Sequence, residues 1–118
     1  MRTRTEENPD YCAIESAMEV LGGRWKLAIL KQLTPGTLRF GELGRALPAI
    51  TPRMLTRQLR ELETDGLVTR TVYREVPPRV EYTLTDAAHR LDAIMSQLDT
   101  WGRWYRDTVR PGDAERVT

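Results

Sequence analysis

The spacing of apolar residues predicts two helices in the first third of the chain. The first runs from about Pro9 to Leu21, where apolar side chains recur every three to four residues. The Gly22-Gly23 pair ends it, because two successive glycines lower helix propensity and allow a sharp turn. A second helix extends to Leu33 and is ended by the turn sequence Thr34-Pro35-Gly36-Thr37.

Two more helices follow at short intervals. A short third helix is predicted from Leu38 to Leu47, and Pro48 stops it. The fourth runs from Pro52 to about Thr64, because a cap residue followed by proline is typical of a helix start. Gly66 follows at a position where a left-handed backbone commonly ends a helix.

From Leu67 onward the apolar period falls to about two residues, which predicts a β-hairpin. Pro77 and Pro78 belong in its loop, because proline cannot donate ladder hydrogen bonds. Thr85 then caps a single last helix of about twenty residues. Its apolar stripe consists of Leu91, Ile94, Met95, Leu98, Trp101, Gly102 and Tyr105.

This order of elements is typical of a winged helix-turn-helix, an α+β fold that is mainly α. We expect residues 9–107 to form that domain, with flexible tails at residues 1–8 and 108–118. In this fold the last of three core helices, here the helix predicted from Pro52 to Thr64, enters the DNA major groove, and a two-stranded hairpin forms the wing. The long terminal helices are then available to dimerise.

The helix from Pro52 to Thr64 has an apolar face and a basic face. The apolar face is defined by Leu55, Leu59 and Leu62. At a rotation of about 100° per residue, the basic face centres about 150° around the helix axis from these leucines. Arginines on that face fit a groove lined by phosphates and base-edge acceptors. The pattern therefore predicts double-stranded DNA as a partner, contacted by Thr51, Arg53, Thr56, Arg57 and Arg60.

Charge is distributed unevenly along the chain, although the net charge is only +1. Residues 24–90 carry twelve Lys/Arg against seven Asp/Glu, which favours a polyanion partner for this segment. We expect Arg39 to contact the DNA backbone. Arg74 and Arg79 flank the wing tip, where they either contact DNA or protect strand edges from aggregation. Lys26 either contacts a phosphate or is solvated.

Composition argues against several other classes of protein. The 118 residues make one domain, and no apolar run approaches the about 20 residues of a membrane-spanning helix. We expect a cytoplasmic protein without membrane contact, since the N-terminus lacks the apolar stretch of a secretory signal. One cysteine and one histidine provide no zinc site, and no catalytic set or phosphate-binding loop is present, so we expect no metal, no cofactor and no enzyme.

Four segments resemble the signature segments of the HxlR family of bacterial regulators. They are residues 20–26 (VLGGRWK), 39–43 (RFGEL), 59–68 (LRELETDGLV) and 76–85 (VPPRVEYTLT), and the resemblance spans about Cys12 to Tyr105. It implies a winged-helix transcription factor that represses or activates nearby genes. It also implies that Arg53, Thr56, Arg57 and Arg60 lie on a recognition helix and Arg79 on the wing.

The resemblance further implies a homodimer built on the terminal helices. Two recognition helices related by a two-fold axis would bind an inverted repeat, one or more DNA turns apart. The apolar stripes of the first and last helices are the expected interface, which comprises Ile14, Met18, Leu91, Ile94, Leu98, Trp101 and Tyr105.

Other readings stay open at this point. Cys12 matches the position of a cysteine with which some relatives sense oxidants or electrophiles, whereas a lone cysteine on an apolar helix face is more often a small buried hydrophobe. One alternative function is therefore a sensor of an oxidant or small-molecule effector, with DNA binding as its output. Another is a protein-interaction module, since winged helices also serve as docking domains.

Overall fold

The computed structural model describes residues 12–110, which form six helices and three strands. In chain order these are α1 (Ala13–Leu21), α2 (Lys26–Leu33), β1 (Leu38–Arg39), α3 (Phe40–Ala46), α4 (Pro52–Thr64), β2 (Val68–Tyr73), β3 (Arg79–Leu84), α5 (Asp86–His89) and α6 (Asp92–Thr108). The predicted winged helix-turn-helix is confirmed. Among the described residues, no helix combines the length and apolar composition needed to cross a membrane.

The core lies where α2, α3 and α4 meet the sheet. Each helix contributes aliphatic side chains from one face only, as their helical spacing predicts. The largest fully buried side chains are those of Ile29, Leu30, Leu33, Leu43, Leu55, Leu59 and Leu62. Because three of these leucines belong to α4, the opposite face of α4 must point to solvent.

The bounds of α4 agree with the sequence prediction. The Thr51 hydroxyl accepts a hydrogen bond from the Met54 N–H at 3.0 Å, which satisfies a donor that the first turn leaves unpaired. Gly66 has a φ of +78°, and the Leu67 N–H then reaches the Leu62 carbonyl at 2.9 Å. Both ends of α4 are therefore fixed by local sequence.

The hairpin strands β2 and β3 form where the alternating pattern predicts them. A third strand that the pattern did not predict, β1, extends the sheet in the order β1-β3-β2, and all neighbours are antiparallel. The expected helix start at Leu38 is wrong, because Leu38 pairs with Tyr82 and Arg39 with Glu81. The helix begins only at Phe40, with the Arg39 N–H donated to the Glu42 carboxylate at 2.7 Å.

The terminal helices differ from expectation in one respect. The start expected at Pro9 lies outside the described residues, while α1 ends at Leu21 as predicted. The single last helix is wrong, since α5 and α6 are separated at Arg90 and Leu91. The Leu91 N–H bonds to the Ala88 carbonyl, three residues back, and this tighter turn redirects the chain.

Candidate DNA interface

The outward face of α4 presents the side chains that the sequence assigned to DNA recognition. Four of these side chains are exposed and line one concave surface, which encloses a volume of about 520 Å³. They are those of Arg53, Thr56, Arg57 and Arg60. This grouping follows from the burial of Leu55, Leu59 and Leu62 on the other side of the helix. Because all four side chains are exposed, this face of α4 is open to a partner.

The guanidinium groups on this surface are largely uncommitted. Within residues 12–110, Arg53 and Arg60 make no side-chain hydrogen bond or ion pair. Arg57 lies 3.7 Å from the Glu61 carboxylate through its Nε, but its side chain is 71% exposed. Exposed pairs of this kind contribute little and exchange readily, so all three arginines can turn toward an external anion.

The two threonines of the predicted set have roles within the helix. The Thr51 hydroxyl oxygen caps α4, which leaves its proton able to donate to an external acceptor. The Thr56 hydroxyl donates to the Pro52 carbonyl at 2.9 Å, so it offers an acceptor and a methyl group to the surroundings.

The wing arginines have different environments. Arg74 is exposed and makes no ion pair with any described residue. Arg79 donates to the carboxylates of Glu75 and Glu81, each at 2.8 Å, and its guanidinium lies 3.9 Å from the centre of the Tyr73 ring. Arg79 thus connects both strands of the hairpin near its tip.

Arg39 and Lys26, the remaining basic residues considered for DNA contact, have opposite environments. Arg39 is exposed, with its backbone N–H capping α3. The expectation for Lys26 is wrong, because Lys26 is 6% exposed and neither solvated nor open to a phosphate. Its ammonium group lies 2.6 Å from the Glu61 carboxylate, so it ties the start of α2 to α4.

Sequence reasoning missed a second group of residues beside α4. Arg70 of β2 and Tyr82 of β3 are directly paired in the sheet, and they line a cavity of about 350 Å³ against α4. The remaining lining residues are Thr56, Leu59, Arg60 and Glu63. Strand alternation shows which side of β2 carries Arg70, but only the docked sheet brings that side against α4.

The terminal helices carry the apolar residues predicted for a subunit interface. None of the α6 residues is buried, and Ile94, Leu98, Trp101 and Trp104 are each more than half exposed. Trp101 stacks on Tyr105 with ring centres 5.2 Å apart. On α1, Ile14 and Met18 are exposed. Leu91, just before α6, packs partly against the core.

Cys12 lies immediately before α1 and is exposed. The interpretation of Cys12 as a small buried hydrophobe is therefore wrong. Its backbone N–H donates to the Glu15 carboxylate at 3.3 Å. Within the described residues, no group of three or more His, Cys, Asp or Glu side chains is arranged to hold a metal ion.

A tri-helical core and a two-stranded wing define a winged helix-turn-helix protein. The family model for HxlR-like helix-turn-helix proteins matches residues 20–110, and the chain belongs to that family. As the sequence predicted, it is a helix-turn-helix transcriptional regulator of the HxlR type.

Several relatives are similar over most of their length. The uncharacterized HTH-type transcriptional regulator YdeP of Bacillus subtilis is 43% identical over 105 residues, which cover 89% of this chain and 82% of YdeP. An uncharacterized HTH-type regulator of Methanothermobacter thermautotrophicus is 51% identical over 94 residues, with coverage of 80% and 72%.

Solved structures of two redox-related regulators are similar in fold. The redox regulator HypR in its reduced form has a TM-score of 0.80 at 45% identity, covering 85% of this chain and 99% of HypR. The reduced form of the transcriptional regulator YodB from Bacillus subtilis has a TM-score of 0.72 at 36% identity, covering 87% of this chain and 99% of YodB.

Proposed function

We propose that this regulator binds double-stranded DNA sequence-specifically, as a homodimer on an inverted-repeat operator. The observation that carries the proposal is the concave surface on α4, where three arginines are exposed beside Thr56. Arginine reads guanine edges bidentately and also pairs with phosphates, so one helix can supply both specificity and affinity. The N-terminal half of α4 carries no acidic residue, which keeps that end positive.

The dimer part of the proposal rests on α6. Apart from Met95, which packs against the core, the apolar stripe of this 17-residue helix gains little tertiary stabilisation unless another surface covers it. A second copy of the chain supplies such a surface, with Ile14 and Met18 of α1 next to Ile94, Leu98 and Trp101 of α6. Two-fold symmetry then presents two copies of α4 to related half-sites.

Around α4, the other predicted contacts divide into two kinds. Arg39 and Arg74 are exposed and contact the DNA backbone in this proposal, together with the Thr51 hydroxyl. Arg79 contributes indirectly, by holding the wing in the shape that meets DNA, because its guanidinium already pairs with Glu75 and Glu81.

A gel-shift titration with the DNA upstream of the protein's own gene, repeated over a range of salt concentrations, tests the proposal. A DNA-binding regulator loses affinity steeply as salt rises, since each phosphate contact releases counterions. If the protein is instead a docking module for other proteins, it binds neither this DNA nor a scrambled duplex at any salt concentration.

A second candidate function is oxidant sensing, with DNA binding as the output. Two observations favour it, namely that Cys12 is exposed next to the helix proposed for dimerisation, and that HypR is described as a redox regulator in both reduced and oxidised forms. The affinity for operator DNA, measured before and after treatment with diamide, should change in the wild type and stay constant in Cys12→Ser. An unchanged wild-type affinity excludes this sensor. A small-molecule effector and a cytoplasmic location stay predictions.

A further inference from the structure

A second recess, the cavity between α4 and the strands β2 and β3, lies beside the α4 surface that we propose faces DNA. Its volume is about 350 Å³, which is enough for a phosphate group with adjoining sugar atoms or water. It shares Thr56 and Arg60 with the concave surface on α4, so the two recesses adjoin each other. A DNA strand that follows the surface of α4 therefore passes the mouth of this cavity.

The charge inside the cavity is positive on balance. Two arginines, Arg60 and Arg70, face one carboxylate, Glu63. Arg60 has no ion pair within residues 12–110, and Arg70 is held to Glu63 only through its Nε at 3.5 Å, with both side chains more than one-third exposed. A weak exposed pair exchanges partners at small cost, so Arg70 can leave Glu63 for an incoming anion.

Tyr82 supplies a neutral donor to the cavity. The residue is 8% exposed, and its hydroxyl makes no hydrogen bond to any described residue. Burial raises the pKa of this hydroxyl, while Arg70 opposes the shift, so the group remains protonated at neutral pH. Although the residue is largely buried, its hydroxyl oxygen keeps access to the cavity, so an anion bound there can accept its proton.

We infer that this cavity binds a phosphate group, with Arg60 and Arg70 as its cationic walls and the Tyr82 hydroxyl as a further donor. The favoured source is a phosphodiester of the DNA backbone, and in this respect the inference rests on the proposed function. The phosphate takes Glu63's place beside Arg70. Glu63 thereby weakens binding, since its charge repels the ligand and its carboxylate competes for Arg70.

Opposite effects of two substitutions test this arrangement. Arg70→Gln should weaken binding to specific and scrambled DNA alike, by about tenfold, because a charge-assisted hydrogen bond to a phosphate is lost. For Arg70→Gln, the slope of log affinity against log salt concentration should be smaller in magnitude than that of the wild type by about one per subunit. Glu63→Gln should tighten binding to both duplexes, and Tyr82→Phe should weaken it less than Arg70→Gln.

A matched control is Arg90→Gln, which removes one exposed arginine from the turn between α5 and α6. It should leave the slope of the salt dependence closer to the wild-type value than Arg70→Gln does. Circular dichroism and thermal unfolding of each variant establish that the fold is retained. If Arg70 and Glu63 serve only as a structural pair, both substitutions change DNA affinity no more than the control, and the DNA source is overturned.

A second arm titrates inorganic phosphate into the DNA-free protein and follows the guanidinium and tyrosine resonances by NMR. Saturable shifts in the wild type that vanish in Arg70→Gln support the cavity as a phosphate site even if the wild type binds no DNA. Such shifts with unchanged DNA affinity assign the cavity to a free phosphorylated ligand. Absence of any shift, together with DNA affinities equal to wild type, overturns the inference.

Discussion

Glu61 occupies a position from which it affects both stability and DNA binding. One carboxylate oxygen lies 2.6 Å from the Lys26 ammonium, inside the protein, and the other lies 3.7 Å from Arg57 on the α4 surface. Glu61→Gln removes the charge from both contacts while keeping the shape of the side chain. We predict that this variant is less stable than the wild type and yet binds DNA more tightly.

The stability loss follows from the burial of Lys26. Breaking a fully buried ion pair by removing one partner costs about 3–5 kcal/mol, because a desolvated charge is left behind. Here the Lys26 side chain is 7% exposed but that of Glu61 is 36% exposed, so water already screens part of the interaction. We therefore expect a cost of about 2–3 kcal/mol, equivalent to a fall in Tm of about 8–20 °C for a domain of this size.

The gain in DNA affinity is smaller. Arg57 loses a weak exposed partner, and one negative charge disappears from the helix that faces the duplex. Exposed pairs contribute about 0.2–1 kcal/mol, so the expected tightening is about 1.4- to fivefold.

Urea denaturation followed by circular dichroism measures the first effect, and a gel-shift titration well below the Tm measures the second. Lys26→Met is the matched control, because it removes the buried charge itself and fills the space with an apolar chain. It should be more stable than Glu61→Gln and should not tighten DNA binding. A Glu61→Gln protein as stable as the wild type would show that the Lys26 pair contributes nothing to stability, and one that binds DNA more weakly would show that Glu61 does not oppose DNA binding.

Three further predictions concern α4, the wing and α6. Arg57→Ala should weaken operator binding by about 1–3 kcal/mol without loss of stability, whereas Leu59→Ala should lower the free energy of unfolding by about 2–5 kcal/mol, and equal stability losses in the two variants would contradict the assignment of faces. Arg79→Gln should raise backbone hydrogen exchange at the wing tip, and unchanged exchange would show that its two carboxylate contacts do not order the hairpin. Trp101→Ala should shift the protein toward monomers in sedimentation equilibrium, since the exposed aromatic stripe is the proposed interface. A monomeric wild type would count against that interface.

Elements with strong local signals were predicted closely. The bounds of α4 follow from Thr51-Pro52 at its start and Gly66 after its end, and the same residues cap the helix in the structure. Strand β1 could not be predicted, because two residues carry no periodic pattern and their strand conformation depends on pairing with β3. The break before α6 was missed for a similar reason, since its apolar stripe continues the spacing of a single helix.

The environments of the charged residues were less predictable than the helix faces. A basic face on α4 follows from spacing along one helix, so Arg53, Arg57 and Arg60 could be grouped from sequence alone. The burial of Lys26 depends on how α2 docks against α4, which no local pattern specifies. The contact of Arg79 with Glu75 likewise depends on the path of the chain around the hairpin tip.

If the outward face of α4 reads DNA, removing its three arginines must abolish both the affinity and the sequence preference of the protein. The affinities of the wild type and of the triple variant Arg53→Ala/Arg57→Ala/Arg60→Ala are measured for the protein's own upstream DNA and for a scrambled duplex of equal length. The wild type should prefer its own DNA, while the folded variant should bind both duplexes weakly and equally. A folded variant that keeps the wild-type affinity and preference would contradict this role of α4.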